Sequence, residues 1–331
     1  MSVTFACREV VQWLSAVEGH SKHRGISHPL TTVILAMSAI VVASVASHDV
    51  IFGRPDRIDE ENLEERLLSN YRQKAALVLY CYVTTMATFR LPVLGFPRLC
   101  YEMLWSCNTS MILAAVGLGS NRPHLVAAAA ISVAIDQLMW YVDLIGYIIT
   151  RKWPIGVAKY LARPETTWVR KLSSAHHIFF LPLCLFFVGF PAQHLSQPRT
   201  ELLDYLRDFR DDFTLMLVVM TVTAILSRFV TPYHLTIGKA PIKKRDRERV
   251  RASHNKESHR ADQGEPVGME IVLNINLVYE VWEDVGRNFP FLDCSHPYAP
   301  LHLLRLLAIW AGLNAPCAVF LACLSPYLFS F

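Results

Sequence analysis

Seven weakly charged, strongly apolar stretches run along the chain, at residues 29–47, 75–89, 103–119, 125–150, 172–192, 213–230 and 301–331. A helix rises about 1.5 Å per residue, so roughly 20 apolar residues cross a hydrocarbon core of about 30 Å. Most of these stretches meet that length. The second is short for it unless it continues through 90–96. The pattern predicts an all-α, polytopic membrane helix bundle of about seven transmembrane helices, with six to eight as its bounds. Two further apolar segments are too short to span. Phe5–Val17 sets Val10, Trp13, Leu14 and Val17 on one helical face, as a helix lying along the membrane surface does. Met269–Trp282 is expected to lie in the interface or to re-enter. The chain therefore divides into an amphipathic segment 1–28, a six-helix membrane region 29–230, a basic loop 231–300 carrying the interfacial segment 269–282, and a last transmembrane helix 301–331.

Composition agrees: 53% of the 331 residues are hydrophobic and only 18% charged, against about 25% charged in soluble domains. Lys and Arg then orient the bundle, because loops on the cytosolic side are enriched in them. Residues 1–28, the loop holding Arg90 and Arg98, residues 151–171, Arg228 and residues 231–300 together carry 22 of the 32 basic residues. The intervening loops and their flanks carry nine. The alternation predicts an integral, multi-pass protein with its N-terminus in the cytosol and its C-terminus opposite. No secretory leader is visible, so the first span is expected to target the chain itself. The net charge of +4 is mild and confined to particular loops, which argues against a nucleic-acid partner. Segment 239–260 concentrates nine basic residues, among them Lys243, Lys244, Arg245 and Arg247. It reads either as a solvated topology signal or as a holder of anionic lipid head groups. The eight cysteines form no CxxC pair and read mostly as small buried hydrophobes.

Ionisable groups at membrane depth are costly, about 2.5–3.5 kcal/mol on insertion scales, and need a partner, water or a task. Asp136, Trp140, Asp143 and Tyr147 fall at i, i+4, i+7 and i+11 of the fourth span, one stripe of a helix that must face protein or a wet cavity. The fifth span opens with His176 and His177; neighbours on a helix stand about 100° apart, so one of the pair is expected to face a given site. Counted from the cytosolic end of each span, Cys107, His176, His177, Asp143 and Arg305 share one level roughly 6–10 Å deep, with Asp136 deeper. That level predicts a wet chamber open to the cytosol and roofed by Asn274 and Asn276. Bland readings stand beside it: Arg305 and Glu102 as snorkelling side chains, Cys107 as packing, the histidines as interhelical hydrogen-bonders.

Cysteine, histidine and carboxylate at one depth are the inventory of a thiol nucleophile, its base and a group that orients the base. On that reading Cys107, His176 or His177, and Asp143 are catalytic. Asn108, Asn274 or Asn276 donate to the oxyanion, Asp136, Trp140 and Arg305 border the substrate, and the substrate is a membrane acyl lipid. The same groups also suit proton or ion movement through Asp136 and Asp143, although no broken helix or internal repeat is visible. A structural subunit or assembly factor is the third reading. A metal site is disfavoured because adjacent histidines lack the i, i+4 spacing of paired helix ligands, and no cofactor is expected.

Three motifs carry a family resemblance: Leu104-Trp105-Ser106-Cys107-Asn108 at the start of a span, His177 followed by an apolar run to Pro182, and Leu273-Asn274-Ile275-Asn276-Leu277 before the last span. There the chain resembles the polytopic Cys/His transmembrane acyltransferases that form plasmalogens and their YwaF-like bacterial relatives. The resemblance implies that Cys107 carries the acyl group and His176 or His177 assists. Asn108 stands where that family often has His, and the basic 239–260 stretch lengthens the spacing before Asn274.

Overall fold

A computed structural model describes residues 29–54, 63–164, 166–194, 202–232, 234–237, 269–272, 275–277 and 302–328. The surface helix expected in 1–28, the basic stretch 239–260 and Asn274 lie outside them. The described chain is a helical bundle with one short two-stranded ribbon. Its helices are α1 (Pro29–Phe52), α2 (Leu63–Leu94), α3 (Phe96–Glu102), α4 (Ser106–Gly119), α5 (Pro123–Ile131), α6 (Ala134–Thr150), α7 (Trp168–Ser173), α8 (His176–His194), α9 (Leu202–Val230) and α10 (His302–Leu328). Strands β1 (His234–Ile237) and β2 (Met269–Val272) pair antiparallel, His234 opposite Val272.

Five stretches are long and apolar enough to cross a membrane: Pro29–Phe52, Arg66–Leu94, Trp168–Val188, Arg210–Val230 and Leu303–Phe320. The expected fourth span is a pair, α5 and α6, bent by 54° at Ser132 and Val133. The chain is thus a multi-pass membrane protein. The expected third span is reduced to α4, 14 residues or about 21 Å of helix, which is less than a full crossing. The second span is longer than its apolar run, because α2 begins in charged sequence at Leu63 and continues to Leu94. The first four residues of the expected interfacial segment 269–282 are a strand. Next, Ile275 enters the core, 1% exposed, within a 3₁₀ turn (Ile275–Leu277).

The polarity of the bundle runs outward. α1 buries Thr32, Ser44 and His48 while exposing Ile34, Leu35 and Val42, as a helix does when hydrocarbon is its solvent. α5 sits at the centre. Leu125, Val126 and four consecutive alanines, Ala127–Ala130, are all buried, and these small side chains let α4, α8 and α9 close around it. Gly117 of α4 belongs to the same contact: a Cβ there would lie 2.9 Å from Val126 Cγ2 and 3.0 Å from the Arg122 carbonyl.

Ion pairs tie the bundle at one end. Arg122, between α4 and α5, grips Asp49 of α1 through both carboxylate oxygens, at 3.1 and 3.2 Å. His124 meets Asp212 of α9 at 2.9 Å, and Arg72 of α2 donates to Asn121. At the opposite end lie the N-termini of α4 and α8 and the loop 151–167.

Candidate functional site

Cys107 Sγ and one ring nitrogen each of His176 and His177 lie within 4.8 Å of one another. The two rings are 4.1 Å apart between centroids. The expectation that helical phase would separate the adjacent histidines is therefore overturned. His176 is the first residue of α8, just past the Ser174-Ala175 break from α7, so its backbone is free of the 100° rotation that a continuous helix imposes. α8 runs on through Pro182, and the Ile178 carbonyl that this proline cannot pair with accepts from Tyr141 Oη at 3.2 Å.

Each ring is fixed by its neighbours. Nδ1 of His176 donates to the Ser173 carbonyl at 3.0 Å, a bond that requires the proton on Nδ1 and leaves Nε2 as a lone pair. That Nε2 is buried and has no hydrogen-bond partner. The same carbonyl accepts from Tyr82 Oη at 3.0 Å and Arg90 Nη2 at 3.4 Å, while Arg90 Nε holds Ser173 Oγ at 2.7 Å. Tyr82 Oη in turn accepts from the His176 backbone N–H at 3.1 Å. His177 Nδ1 meets Gln137 Nε2 at 2.9 Å, and its ring stacks on Trp140 at 4.7 Å between centroids. Gln137 is fully buried and its Oε1 has no partner. Turning the amide over would let that oxygen accept a proton from Nδ1.

Cys107 stands in the first turn of α4, where backbone N–H groups have no intrahelical acceptor. The N–H groups of Cys107 and Asn108 lie near its sulfur. The positive end of the helix thus faces the thiol. Arg90 and Asp136 both lie within electrostatic reach of it. Asp136, half-buried, is in the first turn of α6, so three helix beginnings bring their side chains to one place.

The remaining expected residues lie elsewhere or serve otherwise. Asp143, fully buried, is turned away from the histidines. Its Oδ1 accepts from Ile155 N at 2.8 Å and Gly156 N at 3.0 Å, and its Oδ2 from Gly156 N at 3.0 Å and Ala158 N at 2.8 Å. It is a clasp for the loop after α6, and the orienting role expected of it falls to the Ser173 carbonyl and Gln137. Asn276 is saturated and has no donor to spare for an oxyanion. Its Oδ1 accepts from Ser106 N and Oγ at 2.6 and 2.8 Å, and its Nδ2 donates to Leu104 O and Ser227 Oγ at 2.8 and 2.7 Å. Asn108 gives an N–H to Glu102 O at 2.8 Å and turns Oδ1 toward Sγ at 3.9 Å. The donors nearest the sulfur are backbone amides instead. Arg305 is on an exposed face of α10, and Glu102 pairs with Arg98 at 2.8 Å.

Tyr82, Arg90, Gln137 and Ser173 escaped the sequence reading. Gln137, a lone amide inside an apolar span, was the one visible signal among them. Tyr160 lies beside Trp140, 6.3 Å between ring centroids, and within electrostatic reach of Cys107. Burial pushes its phenol above the ordinary value, so it remains a neutral donor, to Ser174 Oγ at 2.8 Å. Compared with protein-family models, curated proteins and solved structures, the chain matches none.

Proposed function

We propose that the protein is a membrane-embedded acyl-transfer enzyme acting on lipids, with Cys107 as nucleophile and His176 as base. One observation carries this reading: a buried imidazole, its Nδ1 committed to the Ser173 carbonyl and its Nε2 without a partner, stands beside a thiol at a helix N-terminus. In the reaction, Nε2 takes the Sγ–H proton and the thiolate attacks the ester carbonyl of an acyl lipid. The developing oxyanion is met by the first-turn amides of α4. The proton returns to the departing alcohol, leaving an acyl thioester on Cys107, and an incoming hydroxyl then repeats the sequence in reverse. The resemblance to the plasmalogen-forming acyltransferases points the same way. Residues 151–171, six of them basic and one acidic, support a site opening toward the cytosolic leaflet.

The test is capture of a hydroxylamine-labile acyl group on Cys107 in the purified chain, reconstituted in nanodiscs with a labelled acyl phospholipid. Cys107→Ala should abolish the label, while Cys184→Ala, altering a buried cysteine of α8, should keep it. His176→Gln should slow acylation by roughly 10²–10⁴-fold. Undiminished lipid turnover in Cys107→Ala removes the reading.

The 54° break between α5 and α6, which sequence did not reveal, favours a second reading. Interrupted helices frame ion sites in transporters, and Asp136 follows this one. Proton-coupled flux in liposomes, lost in Asp136→Asn and kept in Cys107→Ala, would replace the first reading with the second.

A further inference from the structure

We propose that Cys107, His176 and His177 form a binding site for a divalent transition-metal ion of the zinc class, and that the bound ion withdraws Cys107 from acyl transfer. The binding half stands on geometry alone; the silencing half rests on the acyl-transfer reading.

One sulfur and two imidazole nitrogens are a borderline-soft donor set suited to Zn²⁺ and its neighbours rather than to Mg²⁺ or Ca²⁺. Zinc bonds of about 2.3 Å to sulfur and about 2.0–2.1 Å to nitrogen place tetrahedral donors roughly 3.3–3.6 Å apart. The three atoms already lie within 4.8 Å of one another, so small side-chain rotations complete the site. Ligating histidines need their other ring nitrogen held by an outer acceptor. Both have one at hand: the Ser173 carbonyl for His176 and the Gln137 amide for His177. Metal binding also gives a partner to a buried atom that otherwise lacks one, His176 Nε2.

Binding exchanges the Sγ–H proton for the ion, so one proton is released per ion bound. The thiolate neutralises half of the ion's charge, and the Asp136 side chain lies within electrostatic reach of the sulfur. With three protein ligands the fourth position is left to water.

The full chain in nanodiscs, stripped with a chelator, is titrated with Co²⁺ and followed by absorption. The expected result is the d–d spectrum of tetrahedral cobalt with a thiolate-to-cobalt charge-transfer band, both displaced by Zn²⁺. Cys107→Ser should lose the charge-transfer band, Cys100→Ser should keep it, and Gln137→Leu should weaken Co²⁺ binding about tenfold through its outer-shell contact. Absence of that band in the wild type, or its survival in Cys107→Ser, overturns the site. The thioester capture is run in chelator and again with stoichiometric Zn²⁺. A thioester without a cobalt band removes the metal site and keeps the acyl reading. A cobalt band without a thioester does the opposite for binding and removes the silencing. Thioester formation undiminished by Zn²⁺ overturns the silencing directly.

Discussion

Asp143→Ala separates a scaffold carboxylate from a catalytic one. Three backbone donors, at Ile155, Gly156 and Ala158, converge on Asp143. A buried donor stripped of its acceptor costs about 1–3 kcal/mol. Ile155 and Gly156 are half-buried and can turn to water, so the lower figure suits them; Ala158 is fully buried and takes more. The loss is about 4 kcal/mol, or roughly three decades in the local opening equilibrium. Hydrogen exchange followed by mass spectrometry reads this directly. Amides of 155–158 should exchange on the order of a thousandfold faster, with α2 and α4 protected as before. In Asp143→Asn one oxygen remains as acceptor while the amide nitrogen faces backbone N–H groups, so exchange should rise by less. The pH profile of Cys107 acylation should keep its shape in that variant. Wild-type protection at 155–158 in Asp143→Ala, or a displaced acylation profile in Asp143→Asn with the loop still protected, would refute the reasoning.

Three other substitutions probe the supports around the site. Asn314→Leu deprives the Ile135 N–H of its acceptor at 3.0 Å and should cost about 1–3 kcal/mol, seen as a lower midpoint of thermal unfolding in detergent. Gly146→Ala drives a Cβ into the ring of Pro154; it should mimic Asp143→Ala in exchange at 155–158 while leaving the clasp residue itself unaltered. Asn276→Ala breaks four hydrogen bonds joining the Ile275–Leu277 turn to the α3–α4 break, to α4 and to α9; it should raise exchange at the first turn of α4 and slow acylation at Cys107, with rescue in part by Asn276→Asp.

Spans were legible because the length of an apolar run is itself the requirement for crossing hydrocarbon. The broken span was not, since neither Gly nor Pro marks it. What permits the break is Asn314, far along the chain on α10, which accepts the freed Ile135 N–H, and no local pattern announces a partner at that distance. Depth counting brought Cys107 and the histidines to one level correctly, yet depth leaves rotation about each helix undetermined. Arg305, counted to the same level, occupies an exposed face of α10. Asp143 was placed on the inward stripe with Trp140, and both are buried; its partner is the loop at 155–158, where Gly156 at φ 100° bends three amides toward one carboxylate, a geometry that glycine adopts readily. The Ser173-Ser174-Ala175 run before His176 was read as helix. Its interruption is what lets two consecutive imidazoles meet.

The three helix interruptions near the site follow one rule. In hydrocarbon a backbone group freed from its helix must find another partner, and at each of these breaks a side chain from elsewhere in the chain takes at least one such group. At the α3–α4 break, Asn276 takes the Leu104 carbonyl and the Ser106 N–H. At the α5–α6 break, Asn314 takes the Ile135 N–H. At the α7–α8 break, Tyr82 takes the His176 N–H and, with Arg90, the Ser173 carbonyl. Continuous helices would satisfy these groups without specialised residues. Each break delivers a helix beginning, and on the first turns of those three helices stand Cys107, Asp136, and the pair His176 and His177. Substituting the sutures should therefore disturb the chemistry of Cys107 well before it unfolds the bundle. Tyr82→Phe is the mildest case, removing one hydroxyl and keeping its ring against His176 and Phe179. It should lower the acylation rate by at least tenfold while costing about 1–3 kcal/mol of stability, because the buried His176 N–H loses its acceptor. An acylation rate equal to that of the wild type in Tyr82→Phe would separate the breaks from the chemistry.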